Sequence, residues 1–170
     1  MGENKRSRTL VRDLMSVGVL SCSPDTPIAQ LTRVLLEKEQ EAAVVLDEQG
    51  NAVGVVSRIE LVRAYAQGDY DNLTAESIMR EGVPQAPPDI PLAVAAQIMQ
   101  DEGVRVLFMM HHAGGIEYPA AYLSYTHFLR HLSMEEGDDL DDLGIRAKRE
   151  SPMETFLRRR EEARRQAGLS

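Results

Sequence analysis

Four histidines and one cysteine are the side chains of this 170-residue chain whose types suggest metal binding or nucleophilic chemistry. His127 and His131 are four residues apart, which places two imidazoles on one face of a helix, a spacing that metal sites use. No cysteine lies near them, and the segment between them lacks the Glu of a zinc-hydrolase motif. His111 and His112 precede two glycines and are typical of a polar strand end. We therefore expect no bound metal.

Catalytic motifs are equally scarce. Cys22 precedes a Ser-Pro turn and has no neighbour in sequence that would activate its thiol, so its expected role is that of a small, half-buried residue. The chain contains neither a Walker-type phosphate loop nor a Gly-x-Ser-x-Gly turn. We do not expect enzymatic activity or a required cofactor.

The composition narrows the class of protein. Hydrophobic residues make up 43% of the chain and charged residues 27%, as in folded proteins. The net charge of −8 argues against a dedicated nucleic-acid binder, because phosphate contacts need a positive surface. One cysteine permits no intramolecular disulfide and suits a reducing compartment. No apolar run reaches the ~20 residues of a membrane span. The expectation is a cytoplasmic protein that does not contact membranes.

The sequence contains an internal repeat, so the helices and strands that position its functional residues are expected to occur twice. When the chain is shifted by 64 positions, residues 11–15 align with 75–79, 24–28 with 88–92, and 42–46 with 106–110. The offset then grows to 67, so that Ser57 aligns with Ser124, and the extra residues fall in a turn, where insertions are tolerated. This internal repetition predicts a first repeat over 11–73 and a second over 74–133, after an N-terminal segment over 1–10.

Each repeat has the predicted order β-α-β-β-α. In the first repeat, Thr26 is the expected N-cap of a helix with Pro27 at its first position, and apolar spacing continues this helix to about Gln40. Strands over 42–46 and 52–57 follow, then a helix over 58–67 that ends at Gly68. The second repeat predicts a helix over 91–100, strands over 104–110 and 119–124, and a helix over 125–132. Units this small are expected to pack sheet to sheet.

The composition changes after residue 133. Six acidic residues within 135–142 predict a solvated linker over 134–150, and their spacing does not match an EF-hand calcium loop. Ser151, Pro152 and Glu154 form a helix start and predict a charged C-terminal helix over 151–167. This helix is interpreted as a locally packed element, as a docking segment for a protein partner, or as a contact for nucleic acid through its arginines.

In the order and spacing of these motifs the chain resembles a tandem pair of CBS domains, known as a Bateman module. The resemblance covers about residues 8–133 and rests on residues 11–16, 24–28 and 50–61 together with their repetition. It implies an α+β fold of two repeats packed about a pseudo-twofold axis and a regulatory role. It also implies adenosine-containing ligands in clefts between the repeats and assembly into a homodimer.

The family's nucleotide signature is a Gly, two apolar residues, Thr or Ser, two variable residues and Asp. In the first repeat Gly54 and Ser57 match it, and Glu60 replaces the Asp. The resemblance implies that Ser57 and the following helix N-terminus contact phosphate and that Glu60 contacts ribose. It also implies that backbone near Val44 and Leu46 contacts the adenine.

The second repeat departs further from the signature. Ser124 is kept, and the resemblance implies that it contacts phosphate, whereas Ala121 replaces the Gly and His127 replaces the carboxylate. His127 can donate to a ribose oxygen or to phosphate, but a histidine cannot accept both ribose hydrogen bonds. If one cleft binds, we expect the first, where Arg58 can add a charge-assisted phosphate contact. At an ordinary pKa of ~6.5, histidine would make the second cleft sensitive to pH.

Two functions remain open. The first is a sensor that binds AMP, ADP, ATP, NAD or S-adenosylmethionine and signals by a conformational change. The alternative is a ligand-free dimerisation scaffold that recruits a protein partner through the C-terminal helix. A sensor gains thermal stability from a nucleotide, whereas a scaffold loses its partner when residues 145–170 are deleted.

Overall fold

The structure is a computed structural model that describes residues 9–134. These residues form helices and strands in the following order: α1 (Val11–Leu14), β1 (Ser16–Val17), β2 (Ser21–Cys22), α2 (Ile28–Glu37), β3 (Ala42–Leu46), β4 (Ala52–Ser57), α3 (Arg58–Gln67), α4 (Ala75–Ile78), β5 (Arg80–Glu81), α5 (Leu92–Glu102), β6 (Val106–Ala113), β7 (Ile116–Ser124) and α6 (Tyr125–Leu132). The predicted acidic linker and C-terminal helix lie outside the described residues, apart from Met134.

The predicted strands β3 and β4 and helices α3 and α6 are confirmed. Helix α3 ends at Gly68, whose φ of 88° lies in the left-handed region. Helix α2 ends at Glu37, earlier than predicted, because Glu39 adopts a φ of 52° that interrupts it. Strands β6 and β7 are longer than predicted and join at Gly114 and Gly115, which both have positive φ, as tight hairpin turns require.

The start of α2 also differs from the prediction. Pro27 is the N-cap, so the prediction of Thr26 in this role is wrong. Pro27 forms an isolated bridge with Thr74, which holds its backbone extended and delays the helix by one residue. The Thr26 hydroxyl lies instead 3.0 Å from the Ser23 hydroxyl in the preceding turn.

The strands form two sheets, β2-β3-β4-β5 and β1-β7-β6. Strands β2 and β3 are parallel, and the other neighbours are antiparallel. Each sheet takes one short strand from the other repeat. Strand β1 precedes the first repeat's own sheet but pairs with β7, and β5 precedes the second repeat's sheet but pairs with β4.

This exchange of strands is reciprocal. Ser16 pairs with Tyr122, and the residues at the equivalent places, Arg80 and Val55, pair in the same way. Two further kinds of contact repeat with the same offset: the bridges Leu10–Pro91 and Thr74–Pro27, and the backbone hydrogen bonds from Val11 N to Ile90 O (3.0 Å) and from Ala75 N to Thr26 O (2.9 Å). The two repeats are therefore related by a pseudo-twofold axis, as the resemblance implies.

Apolar side chains pack in one central cluster and two outer ones. The central cluster joins the two sheets and contains Val19, Ala42, Val44, Val55, Val106 and Phe108. The outer clusters lie between each sheet and its helices. Each includes residues of the short helix that precedes an exchanged strand: Val11 and Leu14 of α1 in one cluster, and Ala75 of α4 in the other. Within residues 9–134, none of the helices has the length and apolar character that a bilayer crossing demands.

Candidate functional site

A cavity of about 260 Å³ lies between the N-terminus of α3 and the segment that joins α5 to β6. Residues of both repeats line it: Val55, Ser57, Ile59, Glu60, Arg63, Arg80, Pro84, Glu102, Gly103, Val104, Arg105 and Val106. Ser57 and Glu60, which the sequence predicted as ligand contacts, are both in this lining. The cavity therefore lies at the first of the two predicted clefts.

Ser57 and Glu60 form a capping box at the start of α3. The Glu60 Oε2 atom accepts hydrogen bonds from the Ser57 amide at 2.8 Å and from the Ser57 hydroxyl. The Ser57 Oγ atom in turn accepts from the Ile59 amide at 3.1 Å. Both residues are buried, with 8% and 7% of their surface exposed. In the described part of the chain no donor meets the other Glu60 oxygen, Oε1, which leaves this atom for a ligand.

The capping box changes the expected chemistry of the helix N-terminus. A carboxylate near the first turn of a helix interacts favourably with its positive end. Because Glu60 already supplies this negative charge, α3 has less attraction for a phosphate than an uncapped helix. Recognition of a phosphate in this cavity therefore depends on positively charged side chains.

Three arginines supply such positive charges, and none of them was predicted from the sequence as a ligand contact. Arg63, Arg80 and Arg105 line the cavity, and each is exposed to solvent. Arg80 Nη1 donates to the Glu102 carbonyl at 3.1 Å, and its Nη2 atom lies 3.5 Å from the Glu102 carboxylate. The side chains of Arg63 and Arg105 have no hydrogen bond or ion pair with any residue between 9 and 134. Arg63 follows Glu60 by three residues, so helical spacing was a usable signal for it.

Three predicted ligand contacts lie elsewhere. Arg58 donates to the Gln40 carbonyl at 3.3 Å and lies 3.6 Å from the Glu41 carboxylate, so its guanidinium is held outside the cavity lining. Val44 is fully buried in the central cluster, and Leu46 packs against that cluster. Neither Val44 nor Leu46 lines the cavity, and the structure does not bring them to Ser57 and Glu60.

Gly54, which the nucleotide signature placed at the ligand site, has a packing role. It pairs with Glu81 where β5 lies antiparallel to β4. A Cβ atom at this position would lie 2.6 Å from the Met79 sulfur and 2.7 Å from the Arg80 carbonyl oxygen. The glycine therefore permits the close approach of the exchanged strand, and so it positions Arg80 beside the cavity.

The equivalent residues of the second repeat make a different arrangement. The His127 Nδ1 atom accepts from the Ser124 amide at 2.9 Å and closes the capping box of α6. Because Nδ1 accepts, the ring proton lies on Nε2, which donates to the Ser16 hydroxyl at 2.8 Å. The Tyr122 ring packs edge-on against the imidazole, with ring centroids 5.4 Å apart. Both imidazole nitrogens are therefore occupied by protein partners.

The His127 imidazole is neutral at physiological pH. Its surface is 3% exposed. Burial and the nearby charge of Arg130 lower the pKa of His127 to about 4. The expectation that this histidine makes the second cleft sensitive to pH near 6.5 is therefore wrong, since burial and the charge of Arg130 move its titration to a lower pH.

Four pairs of equivalent residues distinguish the two clefts. In the first cleft and the second respectively they are Val55 and Tyr122, Glu60 and His127, Arg80 and Ser16, and Arg105 and Glu41. The second cleft therefore has an aromatic ring in place of a valine and lacks two of the arginines, whereas Arg130 is equivalent to Arg63 and Lys38 replaces Glu102. The two clefts therefore differ in which positions are charged, and the second has no carboxylate at the position of Glu60.

Other reactive side chains do not form a site. Among residues 9–134, no three His, Cys, Asp or Glu side chains are grouped so that they could hold a metal ion. Burial raises the pKa of the Cys22 thiol to about 11, against a smaller opposite effect of its hydrogen bond with Thr26. The thiol is therefore protonated at neutral pH, which is unfavourable for a nucleophile.

Comparison with known proteins identifies related sequences. A family model described as the CBS domain matches residues 11–67. An uncharacterized 17.7 kDa protein of Acidianus ambivalens is 27% identical over 99 residues, which cover 58% of this chain and 60% of that protein. An uncharacterized protein of Methanocaldococcus jannaschii is 32% identical over 57 residues, 34% of each chain. This chain therefore spans less than two thirds of the length of either relative.

Solved structures share the fold. An uncharacterized conserved protein from Pyrococcus horikoshii superposes with a TM-score of 0.66 at 17% identity, over 78% of this chain and 98% of its own. The CBS-domain pair of protein MJ0100, solved in complex with 5′-methylthioadenosine and S-adenosyl-L-methionine, has a TM-score of 0.63 at 21% identity, over 74% of this chain and 100% of its own. A CBS-domain containing protein from Agrobacterium tumefaciens has a TM-score of 0.65 at 20% identity, over 76% of this chain and 98% of its own.

Proposed function

Because this chain is a tandem CBS-domain protein, with a CBS domain over residues 11–67 and the fold of a CBS-domain pair, we propose that it is a regulatory module that binds an adenosine-containing ligand. The binding site is the cavity at Ser57 and Glu60. One observation carries this proposal: a cavity between the repeats is lined by a buried carboxylate with an uncommitted oxygen and by three arginines.

The lining residues suit the parts of a nucleotide. The Glu60 Oε1 atom accepts from the ribose hydroxyls while Oε2 keeps its place in the capping box. The adenine lies against the apolar lining formed by Val55, Val104 and Val106. The family resemblance had implied a contact near Val44 instead. The solved CBS-domain pair that contains methylthioadenosine and S-adenosylmethionine supports an adenosine ligand for this fold.

The ligand signals by a change in the relation of the two repeats. The cavity is lined by β4 and α3 on one side and by residues 102–106 of the second repeat on the other. A ligand that contacts both sides stabilises one relative arrangement, and a population shift of this kind is what a partner protein detects. This role is regulatory, and no step of it requires catalysis.

Thermal unfolding with adenosine, AMP, ADP, ATP, NAD and S-adenosylmethionine tests the proposal. A ligand at 100 times its dissociation constant adds about 2.7 kcal/mol to the free energy of unfolding, which raises the midpoint visibly. Glu60→Gln keeps a capping side chain but weakens the ribose contact, so we expect it to reduce the rise. His127→Gln is the matched control, because it makes the equivalent exchange in the capping box of the other cleft and leaves the rise unchanged.

If every ligand of the panel leaves the midpoint of the wild-type chain unchanged at millimolar concentration, the sensor function is refuted. The alternative function, a dimerisation scaffold that recruits a protein partner through residues 151–167, then becomes the better proposal. These residues lie outside the described part of the chain, so the corresponding test is loss of the partner after deletion of residues 145–170.

Homodimer formation is a second part of the proposal. Helices α3 and α6 each present apolar side chains that are more than 60% exposed: Val62 and Tyr65, and Leu129 and Leu132. A second copy that packs on these helices removes this apolar surface from water. Sedimentation velocity tests the prediction: a dimer is expected for the wild-type chain and a monomer for Tyr65→Glu combined with Leu129→Glu. A monomeric wild-type chain at micromolar concentration contradicts it.

A further inference from the structure

We propose that the cavity at Ser57 and Glu60 selects an adenosine di- or triphosphate, whose phosphates contact Arg63, Arg80 and Arg105, and rejects S-adenosylmethionine. This inference rests on the proposed adenosine site and specifies its ligand class. It distinguishes this chain from the related CBS-domain pair that was solved with methylthioadenosine and S-adenosylmethionine, neither of which has a phosphate.

The charges around the cavity support an anionic ligand. The chain as a whole has a net charge of −8, yet three of the lining residues are arginines and two are glutamates. The Glu60 carboxylate already accepts a hydrogen bond from the Ser57 amide at the N-terminus of α3, and the Glu102 carboxylate already pairs with Arg80. Arg63 and Arg105, which have no ion pair within residues 9–134, therefore provide uncompensated positive charge for a ligand that has several negative charges.

The guanidinium group suits this role because it binds phosphate oxygens through paired N–H donors. All three arginines are exposed to solvent at the cavity, whereas Ser57 and Glu60 are buried. This arrangement places the nucleoside inside and the phosphate chain at the solvent-facing rim. A sulfonium cation at the same rim meets like charges, which disfavour its binding.

The size of the cavity favours a mononucleotide. Ligand sites of small molecules commonly have volumes of ~300–1,000 Å³, and this cavity, at about 260 Å³, lies just below that range. One nucleoside with a phosphate chain that extends to solvent is compatible with such a volume. A dinucleotide such as NAD has a second nucleoside, which a cavity of about 260 Å³ does not enclose together with the first.

Titration calorimetry in the presence of EDTA, which keeps the phosphates free of divalent cations, tests this inference on the full chain. The ligands are adenosine, AMP, ADP, ATP and S-adenosylmethionine. We expect affinity to increase from adenosine to ATP, and S-adenosylmethionine to bind more weakly than AMP. Arg63→Gln and Arg105→Gln are each expected to weaken ATP by about tenfold, equivalent to about 1.4 kcal/mol, and to leave adenosine unchanged.

Arg33→Gln is the matched control, since Arg33 is an exposed arginine of α2 outside the cavity lining, and its loss changes the net charge equally. A tenfold weaker ATP affinity for the cavity variants but not for Arg33→Gln supports the inference. If adenosine and S-adenosylmethionine bind as tightly as ATP, the inference is overturned and the adenosine site remains. If no ligand of the panel binds, the proposed function fails as well.

Discussion

Replacement of His127 by glutamine is expected to remove much of the loss of stability that the chain undergoes as the solution becomes acidic. In the folded chain the pKa of His127 is about 4, and in the unfolded chain it is near the ordinary value of 6.5. Between these values the unfolded chain binds a proton that the folded chain does not. Stability that is fully present above pH 6.5 is therefore lost as the pH falls towards 4.

The size of this loss follows from the two pKa values. One pKa unit corresponds to about 1.4 kcal/mol, so the lowered pKa of His127 corresponds to about 3 kcal/mol of unfolding free energy. This is a large part of the ~5–15 kcal/mol that stabilises a typical domain. Glutamine is the suitable replacement because its carbonyl oxygen accepts from the Ser124 amide, as the Nδ1 atom does, but it does not titrate.

The assay is urea denaturation of the wild-type chain, His127→Gln and His131→Gln at pH 7.5, 6.0 and 5.0. The variant His131→Gln controls for the loss of a histidine one helical turn away. We expect the stability of the wild-type chain and of His131→Gln to fall more steeply with pH than that of His127→Gln. Equal pH profiles for all three chains refute the conclusion that His127 is buried and neutral.

Three other predictions concern packing, capping and reactivity. Gly54→Ala is expected to lower the free energy of unfolding by about 1–3 kcal/mol, because the added Cβ overlaps the Met79 sulfur and a backbone carbonyl. Urea denaturation measures this change, and an unchanged free energy contradicts the close approach of β5. Ser124→Ala is expected to cost about 1 kcal/mol through loss of the hydrogen bond between the Ser124 hydroxyl and the His127 Nδ1 atom, which lie 3.0 Å apart. A free energy of unfolding equal to that of the wild-type chain argues against this contact. Cys22 is expected to react slowly with a thiol reagent at pH 8 in the folded chain and quickly in urea, because burial raises the pKa of its thiol to about 11 in the folded chain. Equal rates in the folded and unfolded chain contradict the raised pKa.

The sequence was most informative where local signals agreed with the global fold. The internal offset predicted two repeats, and β3, β4, α3 and α6 have their predicted positions because apolar runs and the glycine at position 68 determine them locally. The start of α2 was not predictable in this way. Its N-cap depends on the bridge between Pro27 and Thr74, which are far apart in sequence.

The candidate site was predictable in part for the same reason. Ser57 and Glu60 lie in one short segment, and the structure brings both to the cavity. Their spacing is also that of a capping box, a local pattern that the structure confirms. Arg80 and Arg105 reach the cavity only through the exchanged strand β5 and the start of β6, so their roles depend on contacts between distant segments.

The reciprocal exchange of β1 and β5 has a consequence for how the chain acquires its structure during synthesis. The first repeat completes its sheet only after residue 81 has been made, whereas β1, although it emerges early, has no partner until β7 follows about a hundred residues later. The two ends of the described chain must therefore meet before the second sheet is complete. Such long-range pairing slows folding and makes the halves unfold together. A cut between the repeats would leave each half with an unpaired sheet edge, so neither half is an independent domain.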